Sequence, residues 1–92
     1  MVSLEEVQAK FDIIQKFSEV GLAGLLSTIS KFCLTMSFGE WYSDSYHGID
    51  EYNKLLKEEN FPIITTEDLM VFYEYMQKKR KASPAGLEPT TP

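Results

Sequence analysis

Leu22-Ala23-Gly24-Leu25-Leu26-Ser27-Thr28-Ile29-Ser30-Lys31-Phe32-Cys33-Leu34-Thr35-Met36 is the stretch on which the fold turns. Leu22, Leu25, Leu26, Ile29, Phe32, Cys33 and Met36 recur at the i, i+3, i+4, i+7 spacing of an amphipathic helix. Ser27, Ser30, Lys31 and Thr35 fall largely on the other side. The apolar stripe is broad, as expected of the central helix of a bundle. Gly39 is read as the residue that ends it. The longer segment Val20–Phe38 is about long enough to cross a bilayer, but it holds Lys31 and five hydroxyl side chains. A central lysine costs roughly 2.5–3.5 kcal/mol on insertion scales, so a buried core helix is favoured over a membrane role.

Three further helices are expected around this one. Ser3-Leu4-Glu5-Glu6 fits a capping box, with Ser3 as N-cap and Glu6 three residues on. Leu4, Val7, Phe11, Ile14 and Phe17 then form one stripe, opposite a polar face that includes Lys10. Gly21 and Gly24 mark a turn or a loose start to the next helix. A third, shorter helix is read from Ile49 to Glu59, ended by Asn60-Phe61-Pro62 because the residue before proline avoids the helical region. Thr65 and Asp68 cap the last helix, with Ile64 and Leu69 placed as a hydrophobic staple. Leu69, Phe72, Tyr73 and Met76 face inward there. Val71 and Tyr75 point elsewhere, as on a helix shared with a second subunit or set deep in a core.

The chain has 92 residues, enough for one domain. The reading is an all-α bundle of four helices over residues 1–81, followed by a disordered, proline-rich tail over 82–92. Four stripes in so short a chain leave marginal stability, so a homodimer sharing helix one or helix four fits. The N-terminus is acidic and lacks the apolar run of a cleavable signal peptide, and the expected location is the cytoplasm. One cysteine excludes an internal disulfide, and one histidine with one cysteine does not build a dedicated zinc site.

Charge is unevenly placed. Residues 1–77 hold 13 of the 14 acids and 5 of the 9 bases, a net of −8, whereas Lys78, Lys79, Arg80 and Lys81 stand together. An acidic body repels phosphate backbones, so nucleic acid is not the favoured partner. The basic run reads as a solvated helix end, with phosphate contacts as its functional alternative. The least regular stretch, Glu40–Asp50, crowds Trp41, Tyr42 and Tyr46 among polar residues. It reads as a loop or short helix folded over the bundle end. Its functional alternative is a protein-binding surface made of Trp41, Tyr42 and Tyr46, with Tyr75.

No chemistry emerges from the motifs. His47 lies near Ser43, Asp44, Ser45 and Asp50, but sequence adjacency is not a triad. The acids miss calcium-loop spacing. Gly21 and Gly24 lack the rest of a phosphate loop. Cys33 reads as a small buried hydrophobe. No catalytic residue, cofactor or metal is expected.

Two functions follow. The first is a non-enzymatic interaction module that binds a host protein or a second copy. The second is a small DNA-binding regulator using residues 49–81 as a helix-turn-helix. Acidic Glu67 and Asp68 at the start of its recognition helix weigh against the second. The tail adds a possible origin for the chain. Gly86-Leu87-Glu88-Pro89 can be written GGA CTC GAA CCN, whose complement NGGTTCGAGTCC matches the T arm of a transfer RNA gene. Such genes are insertion points for viruses and mobile elements, which gives the expectation of an integrated-element product. Coding DNA that fails to match at these four codons would end that idea.

Overall fold

The computed structural model describes residues 2–82. It contains four helices: α1 (Leu4–Gln15), α2 (Glu19–Phe32), α3 (Phe38–Glu58) and α4 (Thr66–Ala82). The described residues form no strand. The protein is a small all-α bundle. The proline-rich tail and its transfer RNA reading lie outside the described residues, except that Ala82 is the last residue of α4.

α1 begins with the expected capping box. The Glu6 amide donates to Ser3 Oγ at 3.2 Å, and the Ser3 amide donates to Glu6 Oε1 at 2.8 Å. Val7, Phe11 and Ile14 are buried on one stripe. Ser18 then caps α2, accepting from the Gly21 amide. Gly21 therefore belongs to the first turn of α2. It is needed there because a Cβ would come within 2.7 Å of the Tyr52 ring, and the Tyr52 hydroxyl donates to the Ser18 carbonyl at 3.0 Å.

α2 touches the other three helices, but it ends sooner than its hydrophobic period suggests. Its last helical residue is Phe32, a turn follows, and Ser37 starts α3. Gly39 is not the end of α2; it lies in the first turn of α3. The physical reason is a second capping box. The Glu40 amide donates to Ser37 Oγ at 3.2 Å, and the Ser37 amide donates to Glu40 Oε1 at 3.0 Å.

The stretch 40–50, read as irregular, is continuous helix, so the third helix is the longest at 21 residues and not the shortest. Trp41, Ile49 and Leu56 are its buried stripe. Its C-terminus is a Schellman motif. Asn60 takes φ 61°, the Phe61 amide donates to the Leu56 carbonyl at 2.8 Å, and the Asn60 amide donates to the Lys57 carbonyl at 3.1 Å. Asn60 tolerates this left-handed backbone better than most residues, so the helix turns off before Pro62 has any part in stopping it.

Asn53 then clamps the segment ahead of α4. Its Nδ2 donates to the Ile64 carbonyl and its Oδ1 accepts from the Ile64 amide, both at 2.8 Å. α4 starts as expected: Asp68 N donates to Thr65 Oγ1 at 3.1 Å and Thr65 N donates to Asp68 Oδ2 at 3.0 Å. Ile64 and Leu69, the staple pair, are both buried.

Aromatic rings fill much of the core. Trp41 and Tyr73 lie 5.5 Å apart, Phe38 meets Tyr73 edge-on at 5.6 Å, and Phe11 meets Phe72 edge-on at 5.4 Å. Buried polar atoms are partnered. Trp41 Nε1 donates to Thr28 Oγ1 at 3.3 Å. Asp68, 1 % exposed, binds Lys10 of α1 at 2.6 Å. Leu25 and Leu26 are only half-buried, and Val20 and Gly24 are exposed, so α2 keeps one open face. Among the described residues no helix is long and apolar enough to cross a membrane.

Candidate interaction surface

The continuity of α3 sorts the aromatic residues of 38–47. Phe38, Tyr42 and Tyr46 are spaced i, i+4, i+8, so they rise along one face. The Phe38 and Tyr42 rings stack at 5.7 Å, Tyr42 and Tyr46 at 6.3 Å, and His47 lies 4.1 Å from Tyr46. Exposure increases along this ladder. Phe38 and Tyr42 are half-buried, while Tyr46 and His47 are exposed. Thr66 Oγ1 donates to the Tyr42 hydroxyl at 3.2 Å, which fixes the middle rung to the start of α4.

Trp41 does not join this surface; at 1 % exposure it belongs to the core. Tyr75 stands apart on α4, half-buried beside Phe72 at 5.9 Å and under the Lys79 ammonium at 5.7 Å. Of the four residues read as partner-binding, the structure brings Tyr42 and Tyr46 together.

Beside the ladder, His47, Asp50, Glu51, Asn53, Lys54, Lys57 and Ile63 line an open groove of about 510 Å³. Ile63 is 42 % exposed at its edge. A second groove of about 520 Å³ separates α2 from α3; Gly24, Asp44, Ser45 and Gly48 are among the residues that line it. Neither groove gathers a reactive constellation. His47 has its ring against Tyr46 and makes no hydrogen bond to Ser43, Asp44, Ser45 or Asp50 among the described residues. No group of three metal-ligating side chains occurs among the described residues.

The basic run is divided by the helix. Arg80 Nη1 donates to the Ser30 carbonyl and hydroxyl, in the last turn of α2. Gln77 Nε2 donates to the Cys33 carbonyl at 3.0 Å, and the Tyr73 hydroxyl donates to the Met36 carbonyl at 2.7 Å. Tyr73, Gln77 and Arg80 thus form one α4 stripe that donates to carbonyls at the end of α2 and in the turn that follows it. Lys79 lies over Tyr75. Lys78 and Lys81 remain exposed, with no ion pair among the described residues.

Three ionisations are displaced. Burial pushes the Tyr73 hydroxyl up, helped by the nearby Cys33 and Glu40. Burial also raises Tyr52, against the pull of its hydrogen bond to Ser18. At Asp68 burial pushes up, but the hydrogen bonds from Lys10 and Thr65 and the Lys10 charge outweigh it, holding the carboxyl below its usual range. These groups are structural. The Lys10–Asp68 pair and the Asn53 clamp carry no motif in the sequence; Asp68 could be read as a cap but not as the anchor of α1.

Comparison of the chain with protein-family models, with curated proteins and with solved structures finds no match.

Proposed function

We propose that this protein is a non-enzymatic interaction module that binds a partner protein or a second copy of itself through the aromatic face of α3. The observation that carries this reading is the Tyr42–Tyr46–His47 stack. It is apolar surface held in water by a rigid helix, already ordered, so binding costs little side-chain entropy. Tyrosines of this kind offer a ring to bury and a hydroxyl to hydrogen-bond, the combination enriched at protein interfaces.

The helix-turn-helix alternative over residues 49–81 has less support. The first turn of its recognition helix would need to meet base edges. Here Glu67 accepts from the Val2 amide at 2.8 Å and Asp68 is sealed under Lys10, so both acids are engaged by the chain ahead of and within α1.

A photo-crosslinking residue in place of Tyr46 tests the proposal in extract of the native cells. A discrete adduct is expected at position 46, with another protein or with this chain, and not when the same residue replaces exposed Glu5 on α1. Equal labelling at both positions, or none, would refute it. Retention by duplex DNA that weakens with salt would favour the regulator instead.

A further inference from the structure

We infer that the open face of α2 pairs with the same face of a second copy of this chain, the two helices running antiparallel. The pairing stands apart from the α3 reading. Tyr46 lies on the side of α3 away from the α2–α3 groove that Asp44 lines, so the aromatic stack stays open in such a pair.

α2 turns Leu22 and Ile29 into the bundle and leaves Glu19, Val20, Ala23, Gly24, Ser27 and Lys31 exposed. Val20, at 85 %, is the most exposed large hydrophobic side chain among the described residues. Successive residues turn by about 100°, so Glu19, Ala23, Ser27 and Lys31 form one i, i+4 row that crosses the open face from edge to edge. The row begins with an acid and ends with a base, and these are the only charges in α2. The two side chains between them are small, so another helix can approach closely there.

Neither charge is answered within the molecule. Glu19 and Lys31 make no ion pair among the described residues, and the Lys31 ammonium lies over the ring of its neighbour Phe32 at 5.3 Å. At 1.5 Å per residue the two charges stand about 18 Å apart along the axis. That exceeds the Debye length of about 8 Å at 0.15 M salt, so neither neutralises the other.

A second copy answers both ends together. A two-fold axis through the middle of the row, near residue 25, sets Glu19 against the partner's Lys31 at one end and Lys31 against the partner's Glu19 at the other. Ala23 falls opposite the partner's Ser27, twice, and Val20 beside the row is covered. A parallel pair would set acid on acid and base on base, and would align the helix dipoles unfavourably. Many charge patterns on a foreign helix would fit this face; a second copy fits it by the pattern the face itself carries. Such a contact is isologous and closes at two copies. One short helix covers less than a standard interface, so the pair is weak, with a dissociation constant of roughly 10–500 μM.

Sedimentation equilibrium of the full chain at about 0.15 M salt tests this. The mass of the wild type is expected to rise above the 10.6 kDa monomer as concentration increases. Glu19→Lys, and separately Lys31→Glu, sets like charges together at both ends and should weaken pairing about tenfold. The chain carrying both exchanges has opposite charges at both ends again and should regain most of that loss. Far-ultraviolet circular dichroism confirms that each variant is folded. A second measurement reads the register without changing a charge. Ala23→Cys chains mixed with Ser27→Cys chains should oxidise to a linked dimer several-fold faster than either alone. A disulfide needs its Cα atoms within about 7 Å, and two identical thiols lie about one helical turn out of register. Native Cys33, at 1 % exposure, does not compete. A wild type that stays monomeric up to about 1 mM overturns the inference. So does a doubly exchanged chain that pairs no better than the single variants, or thiols that link equally fast mixed and alone. A photo-crosslinker in place of Ser27 that captures a different protein in extract, and never this chain, assigns the face to a foreign partner and overturns it too. Capture at position 46 is unaffected by each of these results, so the two readings fail separately.

Discussion

Breaking the contact between Lys10 and Asp68 should cost the fold more than any other exchange of a single charge. Asp68 is 1 % exposed, and its Oδ2 accepts from Lys10 Nζ at 2.6 Å and from the Thr65 amide at 3.0 Å. Lys10 also donates to the Ile63 carbonyl at 3.2 Å. Asp68→Asn keeps an acceptor for Thr65 but removes the charge opposite Lys10. A charge-assisted hydrogen bond contributes roughly 1.5–3 kcal/mol. The Lys10 side chain is still 25 % exposed, so its ammonium recovers some water, and the loss should stay near 2 kcal/mol, below the 3–5 of a fully buried pair. Lys10→Met strands a carboxylate whose side chain is 2 % exposed and should cost about 3 kcal/mol. The double variant should lose less than the sum, with a coupling of about 1.5–3 kcal/mol.

Urea unfolding at pH 7, followed by the fluorescence of the single, buried Trp41, measures each corner of this cycle. A coupling below about 0.5 kcal/mol would refute the assignment of the pair as the clasp between α1 and α4. Acidification gives a second check. The carboxyl is held below its usual range in the fold, so its contribution is complete above an ordinary aspartate pKa of about 3.9 and fades as pH falls through the lower folded value. The gap between wild type and Asp68→Asn should therefore narrow at low pH. A gap that widens there would show that some other carboxylate controls acid stability.

Gly21→Ala should destabilise by about 1–3 kcal/mol, because its Cβ would meet the tethered Tyr52 ring at 2.7 Å. Gly24→Ala, on the same helix with nothing within 4 Å, should stabilise by about 0.5–1 kcal/mol in the same urea titration; equal effects would deny the close approach. Ile29→Ala, at 0 % exposure, should cost about 2–5 kcal/mol, and half-buried Leu26→Ala clearly less; a reversed order in thermal melts would mean α2 faces the other way. Asn60→Gly should be neutral or stabilising at φ 61°, whereas Asn60→Val should cost more than 1 kcal/mol by differential calorimetry.

Where the sequence was legible, a local signal and the tertiary packing agreed. Ser3 with Glu6, and Thr65 with Asp68, announced two helix starts, and the stripes Val7–Phe11–Ile14 and Leu69–Phe72–Tyr73 are the ones buried. Around Gly39 two signals competed. The apolar period of α2 ran on to Met36, and Gly39 read as the residue that ends it. The decisive signal was local and present: Ser37-Phe38-Gly39-Glu40 is a capping box. With that start, Trp41 falls in register with Ile49 and Leu56 on the buried stripe, eight and fifteen residues away. Reading the same tryptophan as surface followed from its polar neighbours, which is the composition of the whole exposed side of α3.

The sequence did not sort the residues of the candidate surface by where they point, and the basic run shows why. Lys78-Lys79-Arg80-Lys81 looks uniform as a string. On a helix, successive residues turn by about 100°, so four adjacent cations point four ways. One of those directions leads to Ser30, where α2 ends with open carbonyls. Another leads to Tyr75. What remains in solvent without a contact of this kind is Lys78 and Lys81, and this division depends on where a neighbouring helix stops, which no pattern in residues 78–81 encodes. The same holds for Lys10, placed by its period on the polar face of α1 yet held beneath α4 by Asp68, 58 residues away. A charged residue's local period states which way it points; only the helix packed against that direction decides whether the charge is a clasp, a cap or a surface.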